Sequence, residues 1–198
     1  MKNFLFGLAI VATTLAACNS TSNKSSESQN RTNSEQSNSQ TDNPKTSSAS
    51  DVMDTFSIKE IISQYLQIKN SLANDNGKDA ASAGKAFVES IGKMDKSSLT
   101  AEKMKLWDDI STDAREMAEH IGENPDKLEH QREHFVILSK DMYDLVKTFG
   151  SGQVLYKVFD SMSNDGKGAF WLSETKEIKN PYMGKAMLSS GSIQEEIK

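Results

Sequence analysis

His130-Gln131-Arg132-Glu133-His134 is the densest group of potential chemistry in this chain. On a helix, histidines four apart lie on one face, so His130 and His134 could hold one metal ion together, with Glu133 placed to act on a bound water. The pattern H-x-x-E-H is also the zinc signature of inverted-motif metalloproteases. Those enzymes take a further carboxylate ligand from far downstream, at a spacing that would run past Lys198, so a protease is not the reading the chain supports. A non-catalytic site is closer to hand. His120 ends the preceding helical stretch, and with a turn centred near residue 123 its antiparallel counterpart falls near residue 127. His130 is then only about 4.5 Å of helical rise away. His120, His130 and His134 can therefore gather around Zn(II) if they share a flank; otherwise they stand solvated or hydrogen-bonded beside the core.

Methionines are the second group. Met162, Met183 and Met187 crowd the last forty residues. Thioethers are soft ligands suited to Cu(I) or Ag(I), although methionine also serves as an adaptable filler of cores. Other motifs fail on their own terms. Asn74, Asn76 and Gly77 touch a calcium-loop pattern whose first and last positions would be Leu72 and Ala83, neither of which offers an oxygen ligand from its side chain. Gly150-Ser151-Gly152 lacks the third glycine of a dinucleotide loop.

The elements that must position these groups are helices first. Ser57 and Glu60 read as a capping box with Phe56 and Ile61 as its staple. Ile58, Ile61, Ile62, Tyr65, Leu66, Ile68 and Leu72 then recur at helical spacing up to Asn74-Asp75-Asn76-Gly77. A shorter helix runs from about Asp79 to Lys93, its alanines suited to close packing. The third starts near Ser98 or Thr100 and carries Trp107, Ile110, Ala114, Met117 and Ile121. Asn124-Pro125 looks like the start of the fourth, with Leu128, Gln131, Phe135, Leu138, Met142, Leu145 and Phe149 along one stripe. After Gly152 the pattern changes to a strand-like run at Val154–Phe159, a turn at Asn164-Asp165-Gly166 and a second run at Ala169–Leu172. The expected fold is mainly α: an up-down four-helix bundle over about 56–150, with a small C-terminal tail, 153–198, that contains a β-hairpin and is otherwise irregular.

Composition narrows the function. With 198 residues and a net charge of −5, the chain has room for one folded domain, over 51–198, and lacks the clustered basic residues that nucleic acid requires. No nucleic-acid partner is expected. One cysteine excludes an internal disulfide, a cysteine-based zinc finger and an iron–sulfur cluster.

That cysteine is Cys18. Met1-Lys2-Asn3, the apolar stretch from Phe4 to Leu15 and then Ala16-Ala17-Cys18 resemble a bacterial lipoprotein signal: the apolar run is too short to span a bilayer and ends in small residues. The resemblance implies cleavage after residue 17, lipidation of Cys18 and anchoring by several acyl chains. Asn19 in place of Asp favours the outer membrane of a bacterial envelope over inner-membrane retention. Residues 19–50 are mostly Ser, Asn, Thr and Gln with balanced charge, a composition that reads as a disordered tether with an end-to-end distance on the order of 30 Å.

Longer stretches resemble a bacterial exported domain-of-unknown-function family, number 3347, found with copper/silver efflux components. They are Tyr65–Leu72, His120-Ile121, Gln131–Phe135 with Leu138-Ser139, and above all a run from Leu155 to Ile193 containing Lys167–Ser173, Glu177–Tyr182, Gly184 and Met187–Gly191. The resemblance covers 51–198 and implies a non-enzymatic role in heavy-metal handling, with a soft site of two cysteines and a methionine and an efflux or envelope protein as partner. This chain departs from that pattern: Asp160-Ser161 stands where the family has Cys-Pro, and Ser190 where it has the second cysteine. Of the implied ligands Met162 and Met187 remain, so the site is expected to be weakened, re-specified or lost. The alternative reading is a membrane-anchored interaction or structural module that binds no metal.

Overall fold

The computed structural model describes residues 56–198. The expected signal over 1–17, Cys18 and the expected tether over 19–50 lie outside the described residues. Four α-helices come first: α1 (Lys59–Ala73), α2 (Gly77–Gly92), α3 (Ala101–Glu123) and α4 (Leu128–Phe149). Three strands follow, β1 (Leu155–Asp160), β2 (Ala169–Ser173) and β3 (Ser192–Ile197), with a single 3-10 turn at Gly184–Ala186. The fold is mainly α, with a small antiparallel sheet in the tail. No helix among the described residues is long and apolar enough to cross a membrane.

Each helix buries the stripe its spacing announces. Ile61, Ile62, Tyr65, Ile68 and Leu72 of α1 meet Phe87 of α2, Trp107 and Ile121 of α3, and Phe135, Leu138 and Met142 of α4 in one continuous core. Consecutive helices pack on one another. The small residues of α2 and α3 let those two approach closely: a side chain added at Gly84 would come within 2.8 Å of the Ala118 carbonyl oxygen. Any larger residue there must push α3 away, because the obstacle is backbone.

Helix boundaries depart from expectation in two places. The Ser57–Glu60 capping box does not form; α1 begins after Ile58 without a side-chain cap, and Glu60 instead accepts a hydrogen bond from Gln64 at 2.6 Å. Phe56 turns to the rings of Trp107 and Phe149, with centroids 5.1 and 5.0 Å away, so burial of the aromatic ring sets the chain's entry into α1. Asn124 does not cap α4 either. Its side-chain amide donates to the His120 carbonyl at 2.8 Å, closing the end of α3, while α4 begins after Lys127. Thr100 and Asn76 do cap, accepting from the backbone of Lys103 and Asp79.

The tail contains the expected hairpin and one strand more. β1 pairs with β2 through Tyr156–Ser173 to Asp160–Ala169, and Asn164 and Asp165 take the positive φ of 55° that the turn needs. β3 lies antiparallel on the other edge of β1, giving the order β2-β1-β3. Part of the stretch expected to be irregular is thus a strand.

Buried polar contacts fasten the sheet to α1 and α4. The Tyr65 hydroxyl accepts from the Leu172 backbone at 3.0 Å and pairs with the Ser139 hydroxyl at 2.9 Å. Tyr182 donates to the Phe170 carbonyl at 2.7 Å. Arg132, almost fully buried, donates to the carbonyls of Pro181 and Leu72 and to the carboxylates of Asp75 and Glu129. One guanidinium therefore joins α1, α4 and the tail. Its charge is fully compensated, as a buried cation requires.

Candidate metal centre

The histidine flank is assembled from the end of one helix and the start of the next. His120 lies in the last turn of α3, and His130 and His134 occupy successive turns at the start of α4. One ring nitrogen from each can be chosen so that all three lie within 4.8 Å of one another, and all three side chains are half-buried. The Nε2 atoms of His130 and His134 are 3.1 Å apart. Two nitrogens bound to one tetrahedral zinc ion at roughly 2.05 Å stand about 3.3 Å apart, so this pair already has nearly the spacing of ligands. The rings of His120 and His134 stack with centroids at 4.4 Å.

The outer nitrogens decide the tautomers. His130 Nδ1 lies 3.4 Å from a Glu133 carboxylate oxygen, and His134 Nδ1 lies 3.4 Å from the Met117 sulfur. A carboxylate and a thioether only accept, so each of these contacts is a hydrogen bond in the tautomer that carries the proton on Nδ1. In that tautomer the two Nε2 atoms present lone pairs to one another. Facing lone pairs at that separation attract a shared cation, either a proton or a metal ion. Outer partners that fix a ring's tautomer and aim its free nitrogen are the usual second layer of a histidine metal site. Burial lowers the pKa of His134, the neighbouring His130 and His120 lower it further, and Glu133 and Glu116 oppose them. That balance disfavours the proton and keeps the imidazole available as a ligand.

Met162 and Met187 are not part of this cluster. Met162, 54% exposed, follows β1 and lines a hollow of about 260 Å³ with Glu129, Arg132, Glu133 and Met183. Met187, 41% exposed, lines a different hollow with Lys176, Lys185 and Leu188. On α4 the residues facing Met162 sit about 130° round the helix from the two histidines, at about 100° per residue. The five expected ligands therefore divide into one group of three and two separate methionines.

Asp160 and Ser190, which stand where the family resemblance places cysteines, do come together. Asp160 is 4% exposed. Its carboxylate accepts from Met162 N at 3.1 Å, the Ser163 hydroxyl at 2.8 Å and the Asn180 amide at 2.8 Å. Asn180 also donates to the Ser190 carbonyl at 3.1 Å. Burial pushes the Asp160 pKa up, but these bonds and one from the Ser190 side chain outweigh it and hold the carboxyl below its usual range. The carboxylate's acceptor sites are occupied by protein donors, so this position works as a structural knot.

One participant in the flank is not marked by the sequence pattern. The spacing of Met117 places it on the core stripe of α3, but it is half-buried and turned to His134. Its spacing of three from His120 was the available signal. Apart from this cluster, Asp141 lies about two helical turns beyond His134 on α4, and one of its carboxylate oxygens is buried without a partner.

Residues 61–154 match the model of the family described as Protein of unknown function (DUF3347). The match takes in almost all of the four helices, including the three histidines, and stops before β1. The tail, with Asp160, Met162, Met187 and Ser190, lies beyond it. No curated protein and no solved structure matches the chain significantly.

Proposed function

We propose that this chain is a non-enzymatic, lipid-anchored envelope protein of the metal-handling class, whose described domain binds a borderline ion through His120, His130 and His134. Three imidazoles suit Zn(II) or Cu(II), whereas hard oxygen-loving ions are poorly served. The convergence of the His130 and His134 lone pairs at 3.1 Å, with both outer nitrogens engaged by acceptors, carries the reading. A three-histidine set leaves one coordination position open to solvent or to a partner's ligand. The four helices would form an up-down bundle that holds α3 and α4 antiparallel. Cys18 would carry the lipid, residues 19–50 would hold the domain off an outer membrane, and an efflux or envelope protein would be the partner.

Titrating the full chain with Co(II), a spectroscopic stand-in for Zn(II), tests the site. The expected result is one equivalent bound with d–d bands of a nitrogen-rich tetrahedral site, lost in H130Q/H134Q. Binding no tighter than millimolar, or equal binding by the double variant, overturns it.

The second reading, an interaction module that binds no metal, is favoured by the saturated knot at Asp160. There, the positions equivalent to the family's cysteines hold the tail together and offer no free ligand.

A further inference from the structure

We infer that the open face of the tail formed by Lys176, Ile178 and Lys185–Leu188 docks the folded domain on an anionic lipid surface. The inference rests on the proposed lipid anchor at Cys18, which would hold the domain beside a membrane. These residues line a wide hollow of about 680 Å³. Met187 is exposed there, with Ile178 and Leu188 half-buried. The segment that carries them is pinned. Lys185 N donates to the Asp75 carboxylate at 3.1 Å, Met187 N to the Gly184 carbonyl at 3.3 Å, and Asn180 N to the Leu188 carbonyl at 2.7 Å. A fixed backbone therefore presents the apolar side chains, and little of it has to be ordered on binding.

Charge decides the occupant. The chain carries a net charge of −5, yet lysines flank this hollow. The nearby glutamates are already taken up: Glu177 pairs with Lys179 at 3.0 Å, and Glu196 lies between Lys176 at 3.7 Å and Lys198 at 3.4 Å. Lys185 adds a charge that neither glutamate takes up. Apolar side chains flanked by lysines match the boundary of a bilayer, where methylene stems lie along hydrocarbon and ammonium groups meet lipid phosphates. The same surface repels the acidic remainder of the chain, which turns the tail towards it. Met162 supplies the contrast. It is the more exposed of the two methionines, but its hollow is lined by Glu129, Glu133 and Asp165 against Arg132 alone, so an anionic surface is not drawn there. Two lysines and a few apolar side chains bind a membrane weakly by themselves. A tether with a reach on the order of 30 Å keeps the membrane at high local concentration and makes the weak contact sufficient.

Cys18 is the chain's one cysteine, so residues 18–198, which contain the whole described core, can be coupled through it to a maleimide lipid. The coupled chain, carrying methyl-labelled methionine, is placed on nanodiscs of phosphatidylglycerol and phosphatidylcholine in equal parts, doped with a nitroxide-headgroup lipid, and followed by NMR. The Met187 methyl signal is expected to broaden and the Met162 signal to stay sharp. On phosphatidylcholine alone, or in K176E/K185E with an unchanged circular dichroism spectrum, the Met187 broadening should fall about tenfold. The inference is overturned if Met187 stays sharp on the mixed discs, if both methyls broaden alike, or if the Met187 broadening persists on neutral discs or in K176E/K185E. Chemical coupling makes this result independent of lipidation in cells, which palmitate labelling of Cys18 tests separately. A labelled Cys18 with a sharp Met187 signal sinks the docking face and leaves the anchor; an unlabelled Cys18 with a broadened Met187 signal does the reverse.

Discussion

The Asp160 knot and the histidine flank are both built from side chains that could ligate a metal, but they dispose of their lone pairs in opposite ways. At Asp160, donors from Met162, Ser163 and Asn180 converge on one buried carboxylate. On α3 and α4, the donors point outward to Glu133 and Met117, and the free nitrogens point at one another. A saturated cluster lowers the energy of the fold; an unsaturated one reserves its energy for a ligand. Proximity of ligating residues is therefore a poor guide to metal binding until each lone pair has been traced to its partner.

Breaking the knot should have the largest effect. D160A leaves the Ser163 hydroxyl, the Asn180 amide and a backbone N–H without their acceptor in a buried place. Hydrogen bonds to a charged group are worth about 1.5–3 kcal/mol each, with incomplete additivity, so a loss of about 3–4 kcal/mol is expected. Urea denaturation measures it. In the same assay without metal, H130Q/H134Q should change stability by no more than about 0.5–1 kcal/mol, because the rings are half-exposed. Comparable losses from the two variants would erase the contrast.

Metal should reverse the ranking. At a free Zn(II) concentration one hundred times the dissociation constant, ligand linkage stabilises the folded chain by about 2.7 kcal/mol. A thermal melt should show this for the parent and for any variant of the knot that still folds, and not for H130Q/H134Q. A smaller effect is expected from M117L, which removes the acceptor that fixes the His134 tautomer and should lower Zn(II) affinity about tenfold. If M117L binds as the parent does, the thioether is only a packing neighbour.

How much of this was legible in the residues varies with the kind of interaction. The helices were, because Trp107, Ala114 and Ile121, or Phe135, Leu138 and Met142, repeat with the period that burial on one face imposes. The hairpin was, through its turn chemistry. β3 was not: Ser192–Ile197 is mostly exposed and holds two glutamates, and it is a strand because β1 offers it an edge. Caps were legible only where no stronger contact competed, as the failure at Ser57 and Phe56 illustrates. The histidines could be placed at the same height from the loop length between α3 and α4. Whether they shared a flank depended on how each helix is rotated, which is a property of the whole core. The distribution of lone pairs was not legible at all, since it depends on distances of a few tenths of an ångström.

Asp141 offers the finest test of the comparison, because it is a polar group that neither cluster satisfies. Burial, with help from Asp113 and Asp144 and against Lys140, raises its pKa to about 6, and one oxygen has no partner. A carboxyl whose folded pKa is raised favours the fold below its unfolded value, near 3.9, and loses that contribution as pH rises through about 6. At pH 7 the ionised group is therefore a liability. D141N removes the charge and should stabilise the chain at pH 7, by about 1 kcal/mol once solvent screening of a half-exposed site is allowed for. The gain should shrink towards zero as pH falls to about 4, where the parent carboxyl is protonated as well. Asp160 behaves with the opposite sign: its folded pKa is lowered, so its contribution is present above the unfolded value and is lost as pH falls further through the folded one. Denaturation curves of parent, D141N and D160A from pH 3 to 8 separate the two. A D141N advantage that does not vary with pH would mean that the orphaned oxygen, and not the charge, is what the fold resists.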